Sequence, residues 1–325
     1  MIWVEFILSA AVIVFAATQL AKYGDIIAVR TRLGGMFIGI LLLAGATSLP
    51  EVLTTISALS QGVPNLAAGN LLGSNMFNML MLAVIDLAGQ QQRILRKAAL
   101  KHALSGSLAV LLIAMVVFFM LANIDLQVGW VGVDSILLML AYAAAIFLIQ
   151  QNASPFTAVE TEIPSKFPSL LRGILGFAIS AGVLAAITPL LVRSSTAIAE
   201  VTGLGTSFVG TTLVAIVTSL PELVTTLAAL KLGADDMAIG NLFGSNLFNM
   251  FALGLTDLFY LQGRFLGTID PSFLLVGILG LIMTVMALIG NLARIERRLL
   301  FVEVDALILI LVYGGGLWLL FARGM

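Results

Sequence analysis

The chain has 325 residues, of which 60% are hydrophobic and only 10% charged, and its mean hydropathy is +1.12. Soluble domains carry roughly 25% charged residues, so a water-soluble globular protein is excluded. The net charge of −1 says nothing about nucleic acid, but no basic stripe appears and no nucleic-acid partner is expected; the absence of cysteine excludes disulfides, thiolate metal ligands and thiol chemistry.

In chain order, apolar stretches of about 20 residues, the length that crosses a hydrocarbon core, alternate with charged or turn-rich breaks. Ten spans are predicted, near 2–21, 33–60, 64–87, 99–121, 128–150, 171–192, 204–231, 236–260, 271–292 and 301–322. The first has no basic segment before it and no convincing cleavage site, so it is expected to be a retained helix and not a signal peptide. The second carries TSLPE at 47–51 and the third GNLLGSNMFN at 69–78. His102, beside Lys101 at the start of the fourth, is expected at the interface. After the fifth, the prolines, serines and threonines of 151–169 mark a linker. The seventh span repeats TSLPE at 218–222, and the eighth reads GNLFGSNLFN at 240–249. Trp3, Trp130 and Trp318 lie near span ends, as an interfacial aromatic belt requires.

These motifs recur 171 positions apart, 47 becoming 218 and 69 becoming 240. Between 34–84 and 205–255 about half the positions are identical, Pro, Glu, Asn and Gly included, which chance matching of apolar stretches does not produce. Asp86 pairs with Asp257, Arg93 with Arg264, Asp134 with Asp305 and Tyr142 with Tyr313. The expected organisation is a five-helix repeat at 1–154, a connector at 155–171 and a second five-helix repeat at 172–325. With the N-terminus outside, thirteen Lys and Arg fall in cytoplasmic loops and three outside, the bias that sets orientation. The connector is then cytoplasmic and both termini are external. Five spans is an odd number, so the second repeat enters with opposite polarity. The fold class expected is an all-α polytopic membrane protein of ten transmembrane helices, arranged as two inverted five-helix repeats with a site at their interface.

An intramembrane Glu costs roughly 2.5–3.5 kcal/mol even on the lenient insertion scale and is by default functional. Glu51 and Glu222 have no Lys or Arg within the spans that carry them, so a structural ion pair is not the explanation. Proline removes a backbone donor and disfavours helix just before it, so carbonyls near Ala46, Thr47, Val217 and Thr218 should lose their helical partners. Thr47 and Ser48 lie four and three residues before Glu51, and Thr218 and Ser219 stand likewise to Glu222, on one helical face. Gly73-Ser74-Asn75 and Gly244-Ser245-Asn246 mark a second weak point, with Asn78 and Asn249 one turn on. The pooled carboxylates, hydroxyls, amide oxygens and carbonyls are hard ligands suited to sodium or calcium. For Gly69, Gly73, Gly240 and Gly244, close helix packing is the better reading. Thr54, Thr55, Thr225 and Thr226 are expected to bond their own backbone one turn back. Asp86, Asp257, Asp134 and Asp305 are assigned to solvated helix ends outside the site.

GATSLPE and VTSLPE, each followed by GN-x-x-GSN-x-x-N, resemble the two alpha-repeats of the calcium:cation antiporters, in particular the sodium/calcium exchanger branch, and the resemblance covers both halves. It implies ten transmembrane helices and electrogenic exchange of sodium for calcium by alternating access. By motif position it implies ion ligands Thr47, Ser48, Glu51, Ser74 and Asn78 from the first repeat and Thr218, Ser219, Glu222, Ser245 and Asn249 from the second. Many relatives have Asp in place of Asn249, and potassium-dependent ones have Asp in place of Asn78, so potassium cotransport is not implied here. Two carboxylates match one calcium or offset several sodium ions, and an empty, doubly charged site would be costly to carry across the membrane, which favours exchange over leak. Calcium/proton exchange is the alternative, because a desolvated Glu can take a proton; a channel with both Glu in its filter is a remoter one. No phosphate loop or nucleophile points to an enzyme. No cofactor and no protein partner is implied, only the transported ions and the lipid bilayer of the cell membrane.

Overall fold

The computed structural model describes residues 1–31, 44–88, 99–152, 168–231, 233–293, 298–299 and 302–325. The first part of the second expected span, the basic residues Arg93, Arg96 and Lys97, most of the connector, and Arg294 and Arg297 lie outside the described residues. Helix dominates, as it must where no water can satisfy backbone polar groups. The order is α1 (Ile2–Thr31), α2 (Leu49–Ser60), α3 (Pro64–Ala88), α4 (Ala99–Ala122), α5 (Val133–Asn152) and α6 (Leu170–Thr202), then α7 (Thr206–Val209), which runs through a π-helical turn (Gly210–Val214) into α8 (Ala215–Lys231). There follow α9 (Asp235–Phe259), the short α10 (Phe265–Thr268), α11 (Phe273–Ala293) and α12 (Val304–Ala322). Among the described residues, eight helical stretches are long and apolar enough to cross a membrane. Two antiparallel ribbons, β1 (Gln127–Val128) with β2 (Val131–Gly132) and β3 (Arg298–Leu299) with β4 (Val302–Glu303), precede α5 and α12. Their pairings, Gln127 with Gly132 and Arg298 with Glu303, are again 171 residues apart.

The first and sixth helices outrun the apolar stretches that announced them, ending at Thr31 and Thr202 where 21 and 192 were expected. They pack lengthwise against each other, burying Ile13, Ala17 and Leu20 of α1 with Leu184, Leu191 and Val192 of α6. In α6 the hydroxyls of Ser194, Ser195 and Thr196 donate to carbonyls one turn back, at 3.0, 2.7 and 3.0 Å, so polar residues do not interrupt it. It stops at Gly203, which takes the left-handed conformation (φ 72°) that favours glycine.

The third helix is the most deeply buried of the eight spans. It touches α2, α8, α9, α11, α12 and the π-helical turn. A side chain at Gly69 would lie 2.7 Å from the Thr211 backbone nitrogen, and one at Gly210 would lie 2.7 Å from the Leu66 carbonyl. The two backbones therefore touch where only glycine fits, and the packing role expected for Gly69 is the one it has. This crossing fixes the polar face of α3 against the chain that leads into the second TSLPE.

Candidate functional site

The two copies of TSLPE adopt related but unequal backbones. In the first, helix at 44–47 is interrupted by a turn at Ser48 (φ −88°, ψ 6°), and α2 restarts with Pro50 in its first turn. In the second, Pro221 lies inside the continuous helix α8. In both cases proline removes the N–H that would have reached the carbonyl four residues back, at Ala46 and Val217.

All ten residues proposed from the sequence are buried: Thr47, Ser48, Glu51, Ser74, Asn78, Thr218, Ser219, Glu222, Ser245 and Asn249. Hydrogen bonds draw them together across the two copies. Ser48 Oγ donates to Glu222 Oε1 at 3.0 Å, and Ser219 Oγ donates to Glu51 Oε1 at 3.0 Å. Thr47 stands beside the Glu222 carboxylate and Thr218 beside that of Glu51. Ser245 Oγ donates to Glu222 Oε1 at 3.4 Å, whereas Ser74 Oγ has no partner. The second oxygen of each carboxylate, Glu51 Oε2 and Glu222 Oε2, is buried without a hydrogen bond. Among the described residues neither Glu is in an ion pair.

Four asparagines extend the site. Asn78 Nδ2 donates to Asn246 Oδ1 at 2.9 Å, and Asn249 Nδ2 donates to Asn75 Oδ1 at 3.1 Å. With their amide nitrogens engaged, Asn78 and Asn249 are left with buried, unpartnered carbonyl oxygens. The ten residues thus hold five unpartnered oxygens: two carboxylate, two amide and one hydroxyl. Buried oxygens without donors are rare and costly, and such a set suits a hard cation with oxygen coordination. Among the described residues, no cluster of three or more His, Cys, Asp or Glu occurs.

Asn70 and Asn241 were not singled out from the sequence. Asn70 Nδ2 donates to the Glu51 backbone carbonyl at 3.0 Å and to Thr55 Oγ1 at 3.3 Å; Asn241 Nδ2 reaches the Glu222 carbonyl at 3.4 Å, Thr225 Oγ1 at 3.0 Å and Thr226 Oγ1 at 3.1 Å. The signal was available: Asn70, Ser74 and Asn78, like Asn241, Ser245 and Asn249, recur every four residues and share one helical face.

Several peripheral expectations need correction. Thr225 donates to the Pro221 and Glu222 carbonyls, each at 3.0 Å, as expected, but Thr55 and Thr226 accept from the asparagines and the Thr54 hydroxyl has no partner. Asp257 is not a solvated helix end. It is fully buried and accepts from the backbone N–H groups of Gly132 (2.8 Å) and Phe265. Asp134 is buried against Arg264 at 3.5 Å, and Arg264 also donates to Asn123. These acids cap and tie the turn around β1, β2 and α10, so burial there is structural. Asp86 and His102 are likewise buried, and His102 Nε2 lies 3.9 Å from Asp236 Oδ1.

The model of the sodium/calcium exchanger protein family matches residues 1–150 and 172–322. The chain belongs to that family, one of cation antiporters and not of enzymes, and is a multi-pass membrane protein. It is 28% identical over 334 residues to the CaxA protein of Alkalimonas amylolytica, covering 98% of each chain. A shorter stretch of 70 residues is 50% identical to the sodium/calcium exchanger MaX1 of Methanosarcina acetivorans, covering 21% of this chain and 20% of that one. The fold resembles that of the sodium-calcium exchanger NCX_Mj in a structure obtained with Na+ and Sr2+, with a TM-score of 0.60, 22% identity, and coverage of 98% of this chain and 99% of that one.

Proposed function

We propose that the protein is a secondary antiporter that exchanges sodium for calcium by alternating access, with Thr47, Ser48, Glu51, Ser74, Asn78, Thr218, Ser219, Glu222, Ser245 and Asn249 as ion ligands. The observation that carries this reading is the pair of buried carboxylates, each with one oxygen held by a serine of the other copy and one oxygen without a donor. Two negative charges in a dry site balance one calcium, and the same oxygens, shared with hydroxyls and amides, can hold sodium ions instead. Either load neutralises the site; the empty site keeps two uncompensated charges and resists reorientation. The serines hold the carboxylates in place, and the amide orientation keeps oxygen towards the ion. Ten transmembrane helices in two inverted repeats, 1–154 and 172–325 joined by a cytoplasmic connector at 155–171, complete the proposal, with both termini outside the cell membrane.

Sodium as the coupling ion is supported by the match to the sodium/calcium exchanger family and by the likeness to the exchanger MaX1. Calcium-45 uptake into proteoliposomes tests it, with sodium, proton and potassium gradients imposed separately. Internal sodium should drive uptake, and uptake that follows a pH gradient while ignoring sodium would transfer the protein to calcium/proton exchange. Single cysteines in this cysteine-free chain test orientation: replacements of Gly62 and Asp125 should label from outside in intact cells, and those of Lys97 and Glu160 only after permeabilisation.

A further inference from the structure

The duplication makes Asn70 and Asn241 chemically equivalent, yet they are bonded differently. Asn70 Oδ1 accepts from Thr218 Oγ1 at 2.9 Å, so one carboxamide joins the Glu51 backbone carbonyl to a hydroxyl of the other TSLPE copy. The matching pair is Thr47 with Asn241. Thr218 Oγ1 also lies within reach of the Val214 and Ala215 carbonyls at 3.1 and 3.3 Å; Thr47 Oγ1 keeps the equivalent contact to the Ala44 carbonyl at 3.2 Å but does not reach Asn241, whose Oδ1 is left buried with no donor. Asn241 is otherwise docked like Asn70, with its nitrogen on the Glu222 carbonyl and on the neighbouring threonines. Both amides are inaccessible to water, at 0% and 3% exposure, so no solvent replaces the missing bond. One of two equivalent bonds is closed and the other open.

We propose that Asn70 and Asn241 are positioning residues that hold the Thr218 and Thr47 hydroxyls alternately, one bond closing as the other opens when the site changes the side it faces. A buried acceptor without a donor disfavours the state that contains it. The closed Asn70–Thr218 bond stabilises the arrangement seen here, and the unmade Asn241–Thr47 bond is available to stabilise its opposite. The two copies thus make the two states nearly equal in free energy, which a carrier needs in order to cycle. Each asparagine acts through the threonine and the Glu backbone it holds, without touching the ion. The inference rests on the alternating-access reading above.

The test is calcium-45 self-exchange in right-side-out and inside-out vesicles, which needs no sodium or proton gradient. A population shift between facing states weakens half-saturation on the side whose state is depleted. Thr218→Val removes the closed bond and Thr47→Val the open one. Relative to wild type, the ratio of outside to inside half-saturation should therefore move in opposite directions in the two variants, by roughly threefold to tenfold each. The double variant should return towards the wild-type ratio, and Thr47→Ser and Thr218→Ser, which keep the hydroxyl, should leave it unchanged. If the valine variants do not fold, Thr47→Ala and Thr218→Ala are read in the same way. A ratio that stays fixed, or moves the same way in both variants, overturns the alternating bond and reduces both threonines to ligands or packing. Absence of counterflow in the wild type would instead sink the antiporter reading itself.

Discussion

At the centre of the bundle, Glu51 and Glu222 each keep one oxygen without a donor, and among the described residues no basic residue pairs with them. Around the β1–β2 ribbon, by contrast, Asp134 faces Arg264 at 3.5 Å and Asp257 accepts two backbone N–H groups. Both regions are buried, so burial alone does not mark the functional acids. The difference is compensation: one region is neutralised by the protein's own groups, and the other waits for a charge from outside. Substitutions should therefore act on transport in the first region and on stability in the second.

The largest expected effect is on transport. Glu51→Gln and Glu222→Gln should each lower exchange by at least about a hundredfold with folding intact, since the amide keeps the shape and removes a full charge from a dry site. Normal calcium transport by either variant would break the comparison. In the second region, Arg264→Met should leave Asp134 buried without its cation and cost about 3–5 kcal/mol of stability. The melting temperature in detergent should fall, while added calcium should raise it in the variant and in the wild type alike. A smaller loss, about 1–3 kcal/mol, is expected for Asp257→Asn, where the amide nitrogen cannot accept one of the two backbone bonds. Its exchange, assayed well below its melting temperature, should remain within about twofold of wild type. Smallest of all, Ser48→Ala and Ser219→Ala should each weaken apparent calcium affinity by a few-fold, about 1 kcal/mol for the net loss of one hydrogen bond. Similar losses in both would sharpen the equivalence of the two copies, and a loss in only one would confine the site to one half.

Much of the central site was legible because its residues contradict their surroundings. Glu, Asn, Ser and Pro inside apolar spans stand out, and a duplication at an offset of 171 residues repeats them in register. The unpartnered oxygens and the serine bonds between copies were not legible, because they depend on which helices cross. The four-residue spacing that sets Asn70 and Asn241 on the site face was legible, but their bonds were not, because their partners lie in other helices. The misreading of Asp134 and Asp257 has a different cause. Hydropathy places them at span ends, where water is normally available, but the ribbon and α10 fold over them: backbone N–H groups serve Asp257 and Asp134 Oδ1, and Arg264 lies 3.5 Å from Asp134 Oδ2. Helix ends of α1 and α6 were also misjudged, since hydropathy measures the lipid-facing stretch, whereas the helices continue as long as each has the other to pack against.

Equilibrium calcium-45 binding to the purified protein reads compensation by an external ion without involving the transport cycle. Wild-type protein should bind calcium saturably and release it as sodium is added, while Glu51→Gln and Glu222→Gln, each folded by circular dichroism, should bind none at the same concentration. Retention of sodium-sensitive binding in either variant would contradict the claim that the two uncompensated carboxylates together form the cation site.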